Sequence, residues 1–279
     1  MNWPEGFHAI YKSRQEQDIA DEAEVAALLQ QLQPAFVLNA AAYTAVDAAE
    51  HDQAAAFRTN QDGPACLARA CRSCGAALIH ISTDYVFDGE STSAYSEDDT
   101  PAPLSVYGRS KLAGEQVVRE TLPEHLIVRT SWLHGALGQN FVTAMLRLGR
   151  EREKIRVVAD QFGRPTSAAE LAKVLVQILE FCRRAKDQGA QVPWGTYHFA
   201  DLGRTSRFEL ARYIMDLQFR ATGRAAQIEP VDTSAYPTPA RRPANAVLDT
   251  SKIERTFGVV PEPWQSGVER VVTELLGSA

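Results

Sequence analysis

Three runs of the chain are apolar without alternation: Ala35–Asn39, Ala77–Ile81 and Leu126–Arg129. Continuous apolarity over four or five residues fits strands buried on both faces, as in a parallel sheet covered by helices. Between them lie stretches with apolar positions at helical spacing, Val25–Leu32, Ala54–Cys74 and Tyr107–Arg119. Strand and helix therefore alternate, and the pattern predicts an α/β fold with a doubly wound, Rossmann-like parallel sheet.

Beyond about residue 155 the pattern loosens. It predicts a short strand at Ile155–Val158, helices over Ala168–Arg184 and Arg207–Leu217, and a strand at Thr196–Phe199. The segment Tyr236-Pro-Thr-Pro-Ala-Arg-Arg-Pro243 holds three prolines, which remove backbone donors and fix φ, so it reads as a loop able to shape a pocket. The expected organisation is a dinucleotide-binding domain over residues 1–154 and a smaller α/β substrate-binding lobe over 155–279, with no clean linker between them.

Composition narrows the function. The chain has 279 residues, 45% of them hydrophobic, enough for a sizeable core. A net charge of −6 without a basic cluster argues against nucleic acid or an anionic membrane surface as partner. No apolar run is long enough to span a bilayer and the first residues lack the pattern of a signal peptide, so the expected location is the cytoplasm. Cys66, Cys71 and Cys74 fall in one helical stretch. No second ligand pair follows at metal spacing, and small residues packed on a helix are the expected reading.

The sharpest chemical signal is Tyr107-Gly-Arg-Ser-Lys111 opening a helix, with Ser82-Thr83-Asp84 ending a buried strand one loop earlier. Residues i and i+4 share a helix face, so Lys111 is expected beside the Tyr107 hydroxyl, where a cation lowers a phenol from its usual pKa of about 10. Tyr107 then serves as a general acid. Thr83, at the carboxyl end of its strand, can hydrogen-bond an oxygen that gains negative charge as hydride arrives. The small residues after the first buried strand, Ala40 to Ala42, would let a ligand approach the backbone closely. Trp132 follows the third strand and suits either a sugar or base contact or the core.

Six strings resemble the dTDP-4-dehydrorhamnose reductases, a family of the extended short-chain dehydrogenases: Asn39-Ala-Ala-Ala-Tyr-Thr-Ala-Val-Asp47, Ile81-Ser-Thr-Asp-Tyr-Val-Phe-Asp-Gly89, Tyr107-Gly-Arg-Ser-Lys-Leu-Ala-Gly-Glu115, Arg129-Thr-Ser-Trp132, Asp160-Gln-Phe-Gly-Arg-Pro-Thr166 and Ala240-Arg-Arg-Pro243. The resemblance implies reduction of a 4-keto nucleotide sugar with NADPH or NADH as hydride donor. It implies Thr83, Tyr107 and Lys111 as catalytic residues, and Thr83, Asp84 and Trp132 as substrate contacts. Asp18, Ile19, Ala41, Ala42, Tyr43 and Thr44 match cofactor positions, with Tyr107 and Lys111. Some members bind Mg²⁺ at a homodimer interface, and Glu170 and Glu274 look similar in place. Lys12 and Arg14, just after the strand expected at Phe7–Tyr11, lean toward NADPH.

One departure stands out. Family members open with a strand and a glycine-rich turn that holds the cofactor pyrophosphate, and no such turn precedes Asn39. Phe7–Tyr11 and the helix near Asp21–Leu32 read as the family's second strand and helix. The expectation is that the sequence starts late, and that as it stands it binds cofactor weakly. Two other functions share the superfamily: a non-catalytic subunit resembling the regulatory subunit of methionine adenosyltransferase, and a nucleotide-sugar epimerase or dehydratase.

Overall fold

The computed structural model describes residues 3–277. Helices are α1 (Glu22–Leu32), α2 (Val46–Ala49), α3 (Gln53–Phe57), α4 (Gly63–Cys74), α5 (Val106–Thr121), α6 (Phe141–Glu151), α7 (Ala168–Asp187), α8 (Arg207–Thr222), α9 (Ser251–Phe257) and α10 (Trp264–Gly277). Strands are β1 (Phe36–Asn39), β2 (Ala77–Thr83), β3 (His125–Thr130), β4 (Leu133–His134), β5 (Lys154–Val158), β6 (Phe162–Gly163), β7 (Thr166–Ser167), β8 (Gly195–His198), β9 (Thr205–Ser206) and β10 (Gln227–Val231).

The main sheet is parallel, in the order β1-β2-β3-β8. Its strands turn alternate residues to the two faces. Ile79, Leu126 and Val128 pack with α7 and α9 on one side, and Leu78 and Ile127 pack with α1, α4 and α5 on the other. This is the doubly wound arrangement predicted from continuous apolarity. Apart from the main sheet β5 pairs with β10, and Ile155 and Val157 pack against α6, α8 and α10 in a second apolar cluster.

Three elements depart from expectation. Phe7–Tyr11 forms no strand. A strand exists through its ladder, and here Phe7 instead packs on the α7 side of the core under the Arg183 guanidinium. Among the described residues no strand pairs with the outer edge of β1. The helix expected over Ala54–Cys74 is broken by a π turn at Arg58–Asp62, which swings Asn60 inward. Asn60 is 1% exposed and its amide receives the Tyr43 N–H, donates to the Tyr43 carbonyl and donates to Ser110 Oγ. Inserted π turns of this kind mark functional segments. Finally, the strand near Thr196–Phe199 belongs to the main sheet as β8, although it lies beyond residue 155, and α7 packs beside it.

The four cysteines are free, and burial pushes the Cys71 thiol up to about 12, so the helical trio is packing. Among the described residues no helix is long and apolar enough to cross a membrane, and no group of three His, Cys, Asp or Glu side chains could hold a metal.

Candidate active site

The carboxyl ends of β1, β2 and β3 meet the amino end of α5, and this junction gathers the predicted residues. Ser105 caps α5 by accepting the Gly108 N–H, and Glu50 accepts the Val106 N–H. Gly108 lets the helix end approach closely, since a Cβ there would stand 2.2 Å from the Tyr85 carbonyl oxygen. Tyr107 and Lys111 are thereby held beneath the end of β2, both buried.

Thr83 donates from Oγ1 to Asp84 at 2.9 Å, accepts the Tyr85 N–H and stands beside the Tyr107 phenol. Burial pushes the Tyr107 phenol up, and the Thr83 hydroxyl beside it opposes that rise. The expected pairing of Lys111 with the phenol is not how the ammonium is engaged: Lys111 Nζ donates to the Ile81 carbonyl at 2.7 Å and lies 3.5 Å from His80 Nε2. A buried ammonium takes the nearest acceptor, and here the end of β2 supplies it. Burial pulls Lys111 down to about 8 while Glu115, one turn on, opposes the fall.

Asp84 is 2% exposed and burial raises it to about 6, against the opposing effect of the Thr83 hydroxyl, which donates to it. Its Oδ2 has no partner among the described residues. Trp132 adopts φ 45°, rare for a bulky side chain, and its indole lies on Gly163. The Arg207 guanidinium sits 3.7 Å from the Trp132 ring centroid, and its charge acts on the buried Tyr85 phenol, opposing the rise that burial causes. Thr83, Asp84, Tyr107, Lys111 and Trp132 are therefore brought to one region.

The predicted cofactor positions flank it. Tyr43 shares an apolar cluster with Tyr107, and Ala41 and Thr44 are exposed beside it, with Ala42 half-buried. Asp18 pairs with Arg58 at 2.8 Å, and Ile19 packs on Gly63, so both abut the π turn whose Asn60 clamps Tyr43. Glu170 is bonded by Lys173 and by Arg270, and it does not join Glu274 in any acidic group of three.

Sequence reasoning missed the groups that hold the site together. Glu115 and Arg129 form a buried two-pronged ion pair at 2.9 and 2.7 Å, and Ser82 donates to the same carboxylate. The signal was available, because a charge inside an otherwise apolar strand is almost always paired. Asp47 binds Arg242 and the Ala240 N–H, docking the proline-rich loop. That loop closes a cavity of about 440 Å³ with Asp88, Leu104 and Thr233. None of Thr83, Tyr107 and Lys111 lines the cavity, which adjoins them through Arg242 and Tyr85.

The family model described as RmlD substrate binding domain matches residues 2–276. The chain belongs to this family, that of the dTDP-4-dehydrorhamnose reductases. The Burkholderia thailandensis dTDP-4-dehydrorhamnose reductase is 43% identical over 269 residues, 95% of this chain and 90% of that one. A crystal structure of the Clostridium acetobutylicum dTDP-4-dehydrorhamnose reductase superposes with a TM-score of 0.88 at 36% identity, covering 97% of this chain and 91% of the other. The Bacillus anthracis enzyme, solved in complex with NADP, gives 0.85 at 38% identity, covering 94% and 89%. In this chain the Thr83, Tyr107, Lys111 cluster stands at the carboxyl end of the sheet of β1, β2, β3 and β8, where open α/β sheets hold ligands.

Proposed function

We propose that this chain reduces the 4-keto group of dTDP-4-dehydro-6-deoxy-L-mannose to give dTDP-L-rhamnose, with NADPH as hydride donor. The observation that carries the reading is the convergence of Thr83, Tyr107 and Lys111 at the carboxyl end of β2, in a chain about 40% identical to named dTDP-4-dehydrorhamnose reductases. NADPH is preferred because the Bacillus anthracis relative was solved with NADP. Neither observation favours a binding subunit or an epimerase.

The residues present fit a nicotinamide cofactor: a buried ammonium at Lys111 lies near a strand end, β1, followed by small exposed residues at Ala40 and Ala41. When bound, the cofactor supplies the hydride that adds to the carbonyl carbon. Lys111 and the Ala41–Thr44 segment would hold it, with Asp18 and Ile19 at the flank. Tyr107 donates its proton to the carbonyl oxygen, and Thr83 hydrogen-bonds that oxygen as charge builds. Asp84, with one free oxygen, accepts a sugar hydroxyl, and Trp132 packs against the sugar nucleotide. Arg270 and Lys173 supply positive charge at Glu170, and the reading includes no Mg²⁺ step. The second lobe and the cavity under the proline-rich loop take the nucleotide end, and the reaction is placed in the cytoplasm.

The test is oxidation of NADPH and NADH by the purified 279-residue chain, with and without the 4-keto sugar nucleotide, followed by absorbance. Substrate-dependent oxidation is expected, faster with NADPH. Cofactor binding without substrate-dependent turnover would sink the reductase reading.

A further inference from the structure

His80 is fully buried on β2, and its register partner on β1 is Asn39. The two side chains meet: Asn39 Nδ2 lies 3.0 Å from His80 Nδ1. Asn39 Oδ1 already accepts the Ala41 N–H at 3.1 Å, which fixes the amide so that its NH₂ faces the imidazole. His80 Nδ1 must then be the acceptor, and a neutral ring carries its proton on Nε2. That nitrogen points at Lys111 Nζ, 3.5 Å away. Burial and the Lys111 charge both push His80 well below its ordinary pKa, so the ring stays neutral.

We propose that His80 is a positioning residue for Lys111: Asn39 locks its tautomer so that an Nε2–H donor faces the amine, favouring the uncharged lysine. Lys111 binds the Ile81 carbonyl through one proton, and its lone pair, once the ammonium has lost a proton, accepts from His80. The other charged group acting on Lys111 is Glu115 on the same helix, and Glu115 is itself neutralised by Arg129 from β3. From β1 only the uncharged Asn39 faces the pair. The balance of an N–H donor on one side and a paired carboxylate on the other sets where Lys111 changes charge. This function of His80 rests on Lys111 acting as proposed above, whereas the tautomer does not.

Two measurements test it. In ¹⁵N-histidine-labelled wild-type protein, with His80 assigned by its loss in His80→Phe, long-range ¹H–¹⁵N correlation should show Nε2 protonated, Nδ1 bare and no titration through neutral pH. A protonated Nδ1, or a ring that titrates near neutrality, overturns the proposal even if the chain proves not to be a reductase. In activity, the alkaline limb of kcat/KM for NADPH should rise by about half to one pH unit in His80→Phe, the size expected for one lost hydrogen bond. An unmoved or lowered limb overturns it. If His80→Phe does not fold, assignment and pH profile pass to Asn39→Asp: its carboxylate takes the Nδ1 proton, which should invert the tautomer and raise the same limb. Failure of either change counts against the proposal.

Discussion

Trp132 lies against Gly163 so closely that a Cβ on the glycine would stand 2.4 Å from the indole Cε2. The ring has a left-handed backbone on one side, Arg207 stacked over it and no room beneath. Gly163→Ala should therefore displace Trp132. We expect a loss of about 1–3 kcal/mol in stability by urea denaturation, the usual range for overpacking, and a raised KM for the sugar nucleotide at nearly unchanged kcat. An unaltered KM would remove Trp132 from the substrate contacts.

Tyr107→Phe removes the proposed proton donor while keeping the ring in its cluster with Tyr43, Val106 and Tyr85. Turnover should fall at least ~100-fold with modest change in KM, on general-acid grounds. Steady-state kinetics on the variant decides it, and near wild-type kcat would transfer the role elsewhere.

Arg129→Met leaves Glu115 buried without its main partner, and stability should drop by about 3–5 kcal/mol. Adding Glu115→Leu should restore much of that loss, because the penalty belongs to the orphaned charge. Chemical denaturation of the single and double variants separates this from simple loss of packing, for which the second change would make matters worse.

Asp84 has a folded-state pKa of about 6 against an ordinary 3.8, so the folded form binds its proton first as pH falls. The folded state carries more bound protons between those values, and the group therefore adds stability on acidification and costs stability above about pH 6. Asp84→Asn should be more stable than wild type at pH 7.5 by about 3 kcal/mol, from a shift of roughly two units, with the gap closing toward pH 4. Unfolding free energies across that range test it, and a constant gap would contradict the assignment.

The sheet was legible because burial on both faces writes itself as uninterrupted apolarity, and β1, β2 and β3 fell within a residue or two of their predicted spans. The cluster of Thr83, Asp84 and Tyr107 was legible because a strand end and a helix start fix their neighbourhood. What the sequence hid were contacts made at long range. Asn60 looks like any helical polar residue until the π turn points it at Tyr43, and Asp47 pairs with Arg242 from a loop late in the chain. Helical spacing sets Lys111 one turn from Tyr107, but it carries no information about the Ile81 carbonyl that engages the ammonium.

The path of the chain bears on how the cleft moves. After β3 it enters the second apolar cluster through α6 and β5, returns to the main sheet through α7 to lay down β8, leaves again for α8 and β10, returns for α9 and ends in α10. Arg164 adds a clamp by donating to the carbonyls of Ala200, Asp201 and Leu248. Two bodies joined by a single strand of chain can swing like a door; each further crossing restrains the swing, because every seam has to bend at once. More of the accommodation of a substrate then falls to side chains and to the proline-rich loop than in a pair of bodies hung on one linker.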